Sequence, residues 1–316
     1  MNIYTKIINK NGYITALAPM EDVTDTVFRQ TLCKIGKPDL MYTEFMNTDG
    51  YCSPGKEKIK HRIQFSKKER PLIIQIWGNT PEKYSQTVKE IKKLKPDGID
   101  INMGCSVRNV LSNDSCSGLI QYPDLAKEII EAVKKEAGKT PVSVKTRIGY
   151  DEIITEKWIG FLLEQNLDAL TIHGRISKEG YNIPSRWEEI GKAVKLRNEI
   201  SPKTVIIGNG DIKNIKEGLK YKDKYGIDGF MIGREIMNNP WVFAERENIS
   251  KEERIKTLLD YLKLYEKTWK GTKPYNAQKK YIKMFISDFD GANEIRQQLM
   301  SFNNVDETYA FLSSLL

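Results

Sequence analysis

An apolar run that begins at Gly98 closes with Asn102-Met103-Gly104-Cys105, and the polar stretch Ser106-Val107-Arg108-Asn109 follows. Cys105 therefore sits where a strand opens into a loop, a place where a thiol can meet a ligand. Two chemistries are open to it. A nucleophile needs a nearby base to make the thiolate. A proton donor needs the thiol intact, and an ordinary thiol with a pKa of about 8.5 is mostly protonated at neutral pH. The residue types leave that choice open. Lys145 lies inside the otherwise apolar run Val142-Ser143-Val144-Lys145-Thr146-Arg147. A cation taken out of water needs a partner, which is either a structural carboxylate or an anionic ligand. His173, one of two histidines, ends a further run beside Gly174 and Arg175. Other runs end in Pro19-Met20-Glu21, in Gln75, in Asn209-Gly210-Asp211 and in Gly233-Arg234.

Something must bring those ends together. Short apolar runs start at Ile14, Leu40, Pro71, Gly98, Pro141, Leu167, Lys203 and Gly226, which makes eight. Longer amphipathic stretches lie between them. One runs from Thr24, a capping candidate, to Ile35. Others start at Pro81 and Pro123, with proline in the first turn, and the latter stops at Gly138. Strands separated by single helices read as parallel βα units. Eight such units predict an α/β fold, a closed (β/α)8 (TIM) barrel, with its active site at the C-terminal ends of the strands. Glycines after the seventh and eighth runs fit that fold's usual phosphate site. An open doubly wound sheet would carry a Gly-rich fingerprint after its first strand, and "APMEDVTD" has none. The eighth unit is spent near Phe243. From Ser250 only helical patterns remain, which predicts a small C-terminal bundle of about four helices. The expected division is a barrel at 1–245 and a helical domain at 246–316.

The bulk properties narrow the class. The 316 residues are 40% hydrophobic, enough for a large core. No run reaches the roughly 18 apolar residues of a membrane span, and the first residues do not read as a signal peptide. The four cysteines form no Cys-x-x-Cys pair, so no metal site is expected, and scattered thiols fit a reducing cytoplasm. Fifty Lys and Arg against 42 acidic residues leave +8, which fits either a solvated lysine-rich surface or a polyanionic partner. In the tail, Lys and Arg recur beside Tyr261, Tyr265, Trp269, Tyr275 and Tyr281. Such a pattern could pair with phosphates and stack on bases, or belong to an ordinary bundle.

Taken together, "APMEDVTDTVFR", "QIWG", "DINMGC", "SVKTRIG", "TIHGR", "GNGDI" and "FMIGR…NPW" come one per strand and in order over residues 16 to 243. The chain resembles the tRNA-dihydrouridine synthase family of bacterial type. The resemblance implies a cytoplasmic, monomeric flavoprotein oxidoreductase with FMN across the top of the barrel and NADPH (or NADH) as reductant. The partner would be tRNA or other structured RNA, not DNA or a membrane. Reduced flavin would pass hydride to C6 of a uracil, and Cys105 would protonate C5. The family's cofactor positions fall on Pro19, Met20, Glu21, Gln75, Lys145, His173, Asn209, Gly210, Asp211, Gly233 and Arg234. Lys145 would stabilise charge on reduced flavin, and Arg234 with the glycine amides would hold the phosphate. Asn102 and Arg147 match positions that contact the target base or its surroundings. The helical tail would grip tRNA.

The chain departs from the family pattern in one loop. Ser106 follows Cys105 where the family usually has proline, and Cys116 stands where glycine is common. A lysine common in the loop aligns nearest Arg108 or Asn109. Two other readings remain in view: an FMN barrel oxidoreductase acting on a free small molecule, and a non-catalytic RNA-binding relative.

Overall fold

The computed structural model describes residues 1–107, 114–246 and 248–316. Arg108 and Asn109, the nearest matches to the family's loop lysine, lie outside them.

Eight parallel strands form a closed ring. They are β1 (Ile14–Leu17), β2 (Leu40–Tyr42), β3 (Leu72–Trp77), β4 (Gly98–Met103), β5 (Val142–Arg147), β6 (Ala169–His173), β7 (Val205–Asn209) and β8 (Gly229–Ile232). Each pairs with the next, and β1 also pairs with β8, Ile14 opposite Gly229 and Leu17 opposite Ile232. A two-residue strand, Met46–Asn47, extends the upper end of β3 through Met46↔Ile76 and Asn47↔Trp77. The barrel expected from eight apolar runs is the observed fold. Its strands are apolar almost throughout because a parallel sheet is covered on both faces. The helix Pro123–Ala137 shows how the outer layer is made. It buries Ala126, Ile129, Ile130, Val133 and Ala137, one stripe at helical spacing, and Gly138 ends it at φ 62°. Each isoleucine so buried contributes about 1.5–3 kcal/mol of transfer free energy.

The first helix after β1 spans Thr26–Ile35, two residues later than its sequence pattern implies. The Thr24 hydroxyl ties the loop before it: it accepts from the Met20 amide (2.9 Å) and donates to the Met20 carbonyl (3.1 Å). A short helix, Ile3–Asn11, has no counterpart in the sequence reading. Its Tyr4 and Ile7 join the cluster formed by Ile14, Leu40, Ile73 and Ala169 near the strand starts. Asn2 donates to Asp168, just before β6, at 2.7 Å. The N-terminal mouth is thus closed, which leaves the C-terminal mouth for chemistry.

By internal contacts the chain divides into two units: Met1–Thr26 with Pro38–Gly233, and Val27–Lys37 with Arg234–Leu316. Within the second unit, residues 250–316 carry the helices Lys251–Trp269, Lys279–Phe285, Ala292–Ser301 and Val305–Ser314. Ser250 caps the first, accepting from the Glu253 amide at 3.2 Å. Tyr261, Tyr265, Trp269 and Tyr281 are buried here. Tyr261 packs on Tyr281 (4.6 Å between ring centroids) and on Phe285 (5.8 Å). Base stacking by these four is therefore corrected. Tyr261, Tyr265 and Trp269 recur every four residues, so they fall on one helix face, and that face is core. Among the described residues, no helix is long and apolar enough to cross a membrane.

Candidate active site

Strand register builds the site. In a parallel barrel, residues two apart point the same way, and paired positions lie side by side. Gln75 is paired with Asp100, and Asp100 with Ser143. One layer up, Asn102 is opposite Lys145 and Lys145 opposite Thr171. At the rim, Arg147 is opposite His173 and His173 opposite Asn209.

A chain of hydrogen bonds rises through these layers. Ser143 Oγ donates to Asp100. Gln75 Nε2 donates to Asp100 Oδ2 at 2.7 Å, and Asn102 Nδ2 donates to Gln75 Oε1 at 3.0 Å. Asn102 Oδ1 then accepts from the amides of Gly104 and Cys105, both at 3.0 Å. The last bonds set the backbone that carries the Cys105 thiol. Asp100, absent from the sequence-based site, anchors the chain from below. Burial pushes its carboxyl up to about 6, against the bonds from Ser143 and Gln75 and the charge of Lys145. Its signal was visible as an acid inside the apolar run "GIDINMG". Gln75 has one N–H and one lone pair left for a ligand.

Arg147 is buried and grips the same loop from the other side. Its Nε donates to the Gly104 carbonyl (2.7 Å), Nη1 to the Ile176 carbonyl (3.0 Å) and Nη2 to Ser106 Oγ (3.2 Å). Among the described residues, two of the guanidinium's five N–H groups stay available. Ser106 here provides a hydroxyl for Arg147, a contact proline could not make.

Lys145 is the other half of the site. Among the described residues, no carboxylate lies within 4 Å of its ammonium group, so the structural ion pair is excluded. Burial pulls it down to about 8, helped by Arg147 and opposed by Asp100 and Cys105. Cys105 is lowered to about 7, first by a hydrogen bond from Cys116 and further by the Val107 amide and Arg147, against burial and Glu21. A cation without a carboxylate partner beside a lowered thiol makes the mouth ready for an anion.

On the far side, Arg175 is buried and reaches His173 Nε2 at 2.9 Å. An arginine can only donate, so Nε2 accepts, and His173 is neutral with its proton on Nδ1. Arg175 also pairs with Asp211, whose carboxylate accepts from the Ser185 amide at 3.0 Å. The run-end pattern flagged Arg175, but its buttressing role depends on the fold. Asn209 Nδ2 donates to the Met231 carbonyl at 2.9 Å. Gly210 adopts φ +131°, and a Cβ there would lie 2.2 Å from Ser185 Oγ. That hydroxyl is buried and has no hydrogen-bond partner among the described residues. At Gly233 a Cβ would meet only Ala18, at 3.5 Å, so the chain itself does not demand glycine there. Gly210→Ala is expected to cost about 1–3 kcal/mol through backbone strain and the clash. A lower urea midpoint at unchanged slope would register it, and an unchanged midpoint would contradict it.

Pro19 and Met20 lie half-buried after β1. Glu21 is exposed and pairs with Arg62 at 2.6 Å. Arg234 begins the second unit and precedes the helix Glu235–Asn238. No group of metal-ligating side chains occurs among the described residues.

An anionic, phosphate-bearing cofactor fits these observations. Lys145 lacks a carboxylate, Ser185 Oγ lacks a partner beside Gly210, and Gly233 leaves its amide open to close approach.

Comparison with known proteins agrees with this geometry. The family model for dihydrouridine synthase matches residues 16–315. A probable tRNA-dihydrouridine synthase 2 of Bacillus subtilis (strain 168) is 42% identical over 303 residues, covering 94% of this chain and 92% of that protein. A probable tRNA-dihydrouridine synthase of Staphylococcus aureus (strain COL) is 43% identical over 307 residues, with 94% and 91% covered. Among solved structures, a morphinone reductase mutant in complex with tetrahydroNAD shares the fold at a TM-score of 0.51 and 12% identity, covering 72% of this chain and 85% of that one. A match over nearly the whole chain, with relatives above 40% identity, is decisive: the chain belongs to the dihydrouridine synthase family.

Proposed function

We propose that the protein is a tRNA-dihydrouridine synthase that reduces the C5–C6 bond of uridines in tRNA. The observation that carries this reading is the pairing of Cys105, seated by Asn102 and Arg147, with Lys145, a cation that has no carboxylate within 4 Å among the described residues. FMN, reduced by NADPH or NADH, supplies the hydride that reaches C6 when bound. The chain's own residues do the rest. The Cys105 thiol gives its proton to C5. Asn102 fixes the backbone on which that thiol sits. Lys145 balances negative charge on the cofactor, and Gln75 offers a donor and an acceptor to a ring edge. Pro19, Met20 and Glu21 line the β1 side, and neutral His173 lies on the β6 side. Asn209 and Asp211 shape the turn at Gly210, and the amides of Gly210 and Gly233 with Arg234 take the phosphate. The free N–H groups of Arg147 face the incoming base or its surroundings.

We assign catalysis to residues 1–245 and tRNA docking to 246–316, in the cytoplasm and as a monomer. The exposed lysines Lys263, Lys267 and Lys270 offer cations for phosphates. Phosphate contacts position the RNA, and the barrel reads the base.

Arg234→Ala is expected to raise the FMN dissociation constant by about 10–100-fold, the loss of one charge-assisted hydrogen bond of about 1.5–3 kcal/mol. Stoichiometric flavin after extended dialysis of the variant would contradict that assignment. The function itself is tested by incubating the flavin-loaded protein with NADPH and unmodified tRNA transcript. NADPH consumption coupled to dihydrouridine in the RNA supports it. Equal turnover on free uridine would favour the small-molecule oxidoreductase, and a protein that binds no flavin would favour the non-catalytic relative.

A further inference from the structure

We propose that Asp100 is a positioning residue for the reaction: it sets which way the Gln75 and Asn102 side-chain amides face, and through them the backbone that carries the Cys105 thiol. The inference rests on Cys105 being the proton donor to uridine. A side-chain amide has a donor end and an acceptor end, and it can turn either one toward a neighbour. Gln75 and Asn102 lack that freedom, because the chain they form is fixed at both ends. At the upper end stand the Gly104 and Cys105 amides, which can only donate. Both point at Asn102 Oδ1, at 3.0 Å each. Asn102 must therefore turn Nδ2 toward Gln75, and Gln75 must meet it with Oε1, at 3.0 Å. Gln75 Nε2 is then left facing Asp100 Oδ2, at 2.7 Å. The lower end of the chain thus requires an acceptor, and Asp100 supplies it. A donor at that place would set N–H against N–H at one of the contacts above.

The barrel register makes this arrangement possible. Asp100 and Asn102 are two apart on β4, so they point to the same side. Gln75 on β3 is level with Asp100 and bridges the two. All three side chains are buried, so bulk water does not stand in for a missing acceptor. Ser143, level with Asp100 on β5, donates to the second carboxyl oxygen, Oδ1. A carboxyl so deeply buried is costly to keep. What it holds is the first link of a chain that ends at the Cys105 amide.

The test compares Asp100→Leu, Asp100→Ala and Asp100→Asn in the flavin-loaded protein. The first two remove the acceptor, and alanine serves if leucine does not fold. In Asp100→Asn the new amide can turn its oxygen to Gln75 and its nitrogen to Ser143, whose hydroxyl can accept. Hydrogen exchange of the Gly104 and Cys105 amides is measured without RNA. The Ile99 amide, which donates to the Pro141 carbonyl at 2.9 Å on the same strand, is the internal standard. Without the acceptor, exchange at Gly104 and Cys105 should be about 10-fold faster relative to Ile99, the loss of about one hydrogen bond. Single-turnover uridine reduction at saturating tRNA should be about 10–100-fold slower, the cost of a misplaced reacting group. Asp100→Asn should recover most of both. Wild-type exchange at the two amides overturns the proposal, and so does faster exchange with wild-type turnover. Equal acceleration at Ile99, Gly104 and Cys105 would show general loosening and overturns it as well. An asparagine variant as impaired as the alanine variant overturns the need for an acceptor. Full turnover by Cys105→Ala would instead overturn the proton-donor reading, and the exchange result would stand apart from it.

Discussion

Cys105→Ala is expected to bind flavin and accept electrons from NADPH as wild type does, yet to reduce uridine about 10²–10⁴-fold more slowly, the usual share of general acid catalysis. The asymmetry follows from where Cys105 sits. Its side chain is not part of the hydrogen-bond chain from Ser143 to Asn102, and that chain ends on its backbone amide. Removing the sulfur therefore leaves the Gln75 and Asn102 side chains in place. The measurement is a single-turnover reaction of reduced protein with unmodified tRNA, set beside the rate of flavin reduction. Loss of both rates would mean that Cys105 supports the cofactor site. Loss of neither would remove it from the reaction. The pH dependence has a fixed sign. The protonated thiol is the active form, so the wild-type rate of uridine reduction should fall as pH rises through about 7.

Lys145→Met should slow flavin reduction by about 10²–10³-fold, the loss seen when one preorganised electrostatic contact is removed. Methionine keeps the chain volume and removes the charge. Lys145→Arg should not restore the rate fully, because a planar guanidinium does not replace a compact ammonium. Stopped-flow bleaching of the flavin under anaerobic NADPH gives the rate. Wild-type bleaching by Lys145→Met would show that the charge serves something else. A second readout needs no flavin. Lys145 titrates near 8 in the folded chain and near 10.4 when unfolded. Between those values the unfolded state binds more protons, so this residue makes stability rise with pH across that window. The rise should be smaller in Lys145→Met by that one contribution.

Much of this arrangement could be read from the sequence, for a physical reason. Parallel strands covered on both faces must be apolar, so a polar residue at the end of such a run stands out. Gln75, Asn102, Cys105, Lys145, Arg147 and His173 were visible that way, and the structure places all but Cys105, which lies just past its strand, on adjacent strands in register. Asp100 was passed over because it lies mid-run, where only the paired Gln75 and Ser143 explain a buried acid. The helix Ile3–Asn11 was not foreseen, since nine residues ahead of the first strand carry little periodic signal. The grouping of Val27–Lys37 with the C-terminal unit reflects contacts between distant segments, which no local pattern encodes. The tail aromatics were visible, but composition cannot say which face of a helix is inside. Spacing could have done so. The bond from Ser117 Oγ to the Cys105 carbonyl joins residues too far apart in sequence for any local pattern to encode it.

The most direct test follows the fate of a single uridine. Flavin-loaded protein is reduced anaerobically with NADPH, mixed with unmodified tRNA transcript in deuterated and ordinary water, and the RNA is digested for mass spectrometry. The account predicts dihydrouridine at defined positions, formed in step with flavin reoxidation. In deuterated water solvent deuterium should enter at C5, because the thiol proton exchanges with solvent. In Cys105→Ala the same product should form far more slowly. Flavin reoxidation with no change in any uridine, or product without solvent deuterium at C5, would contradict it.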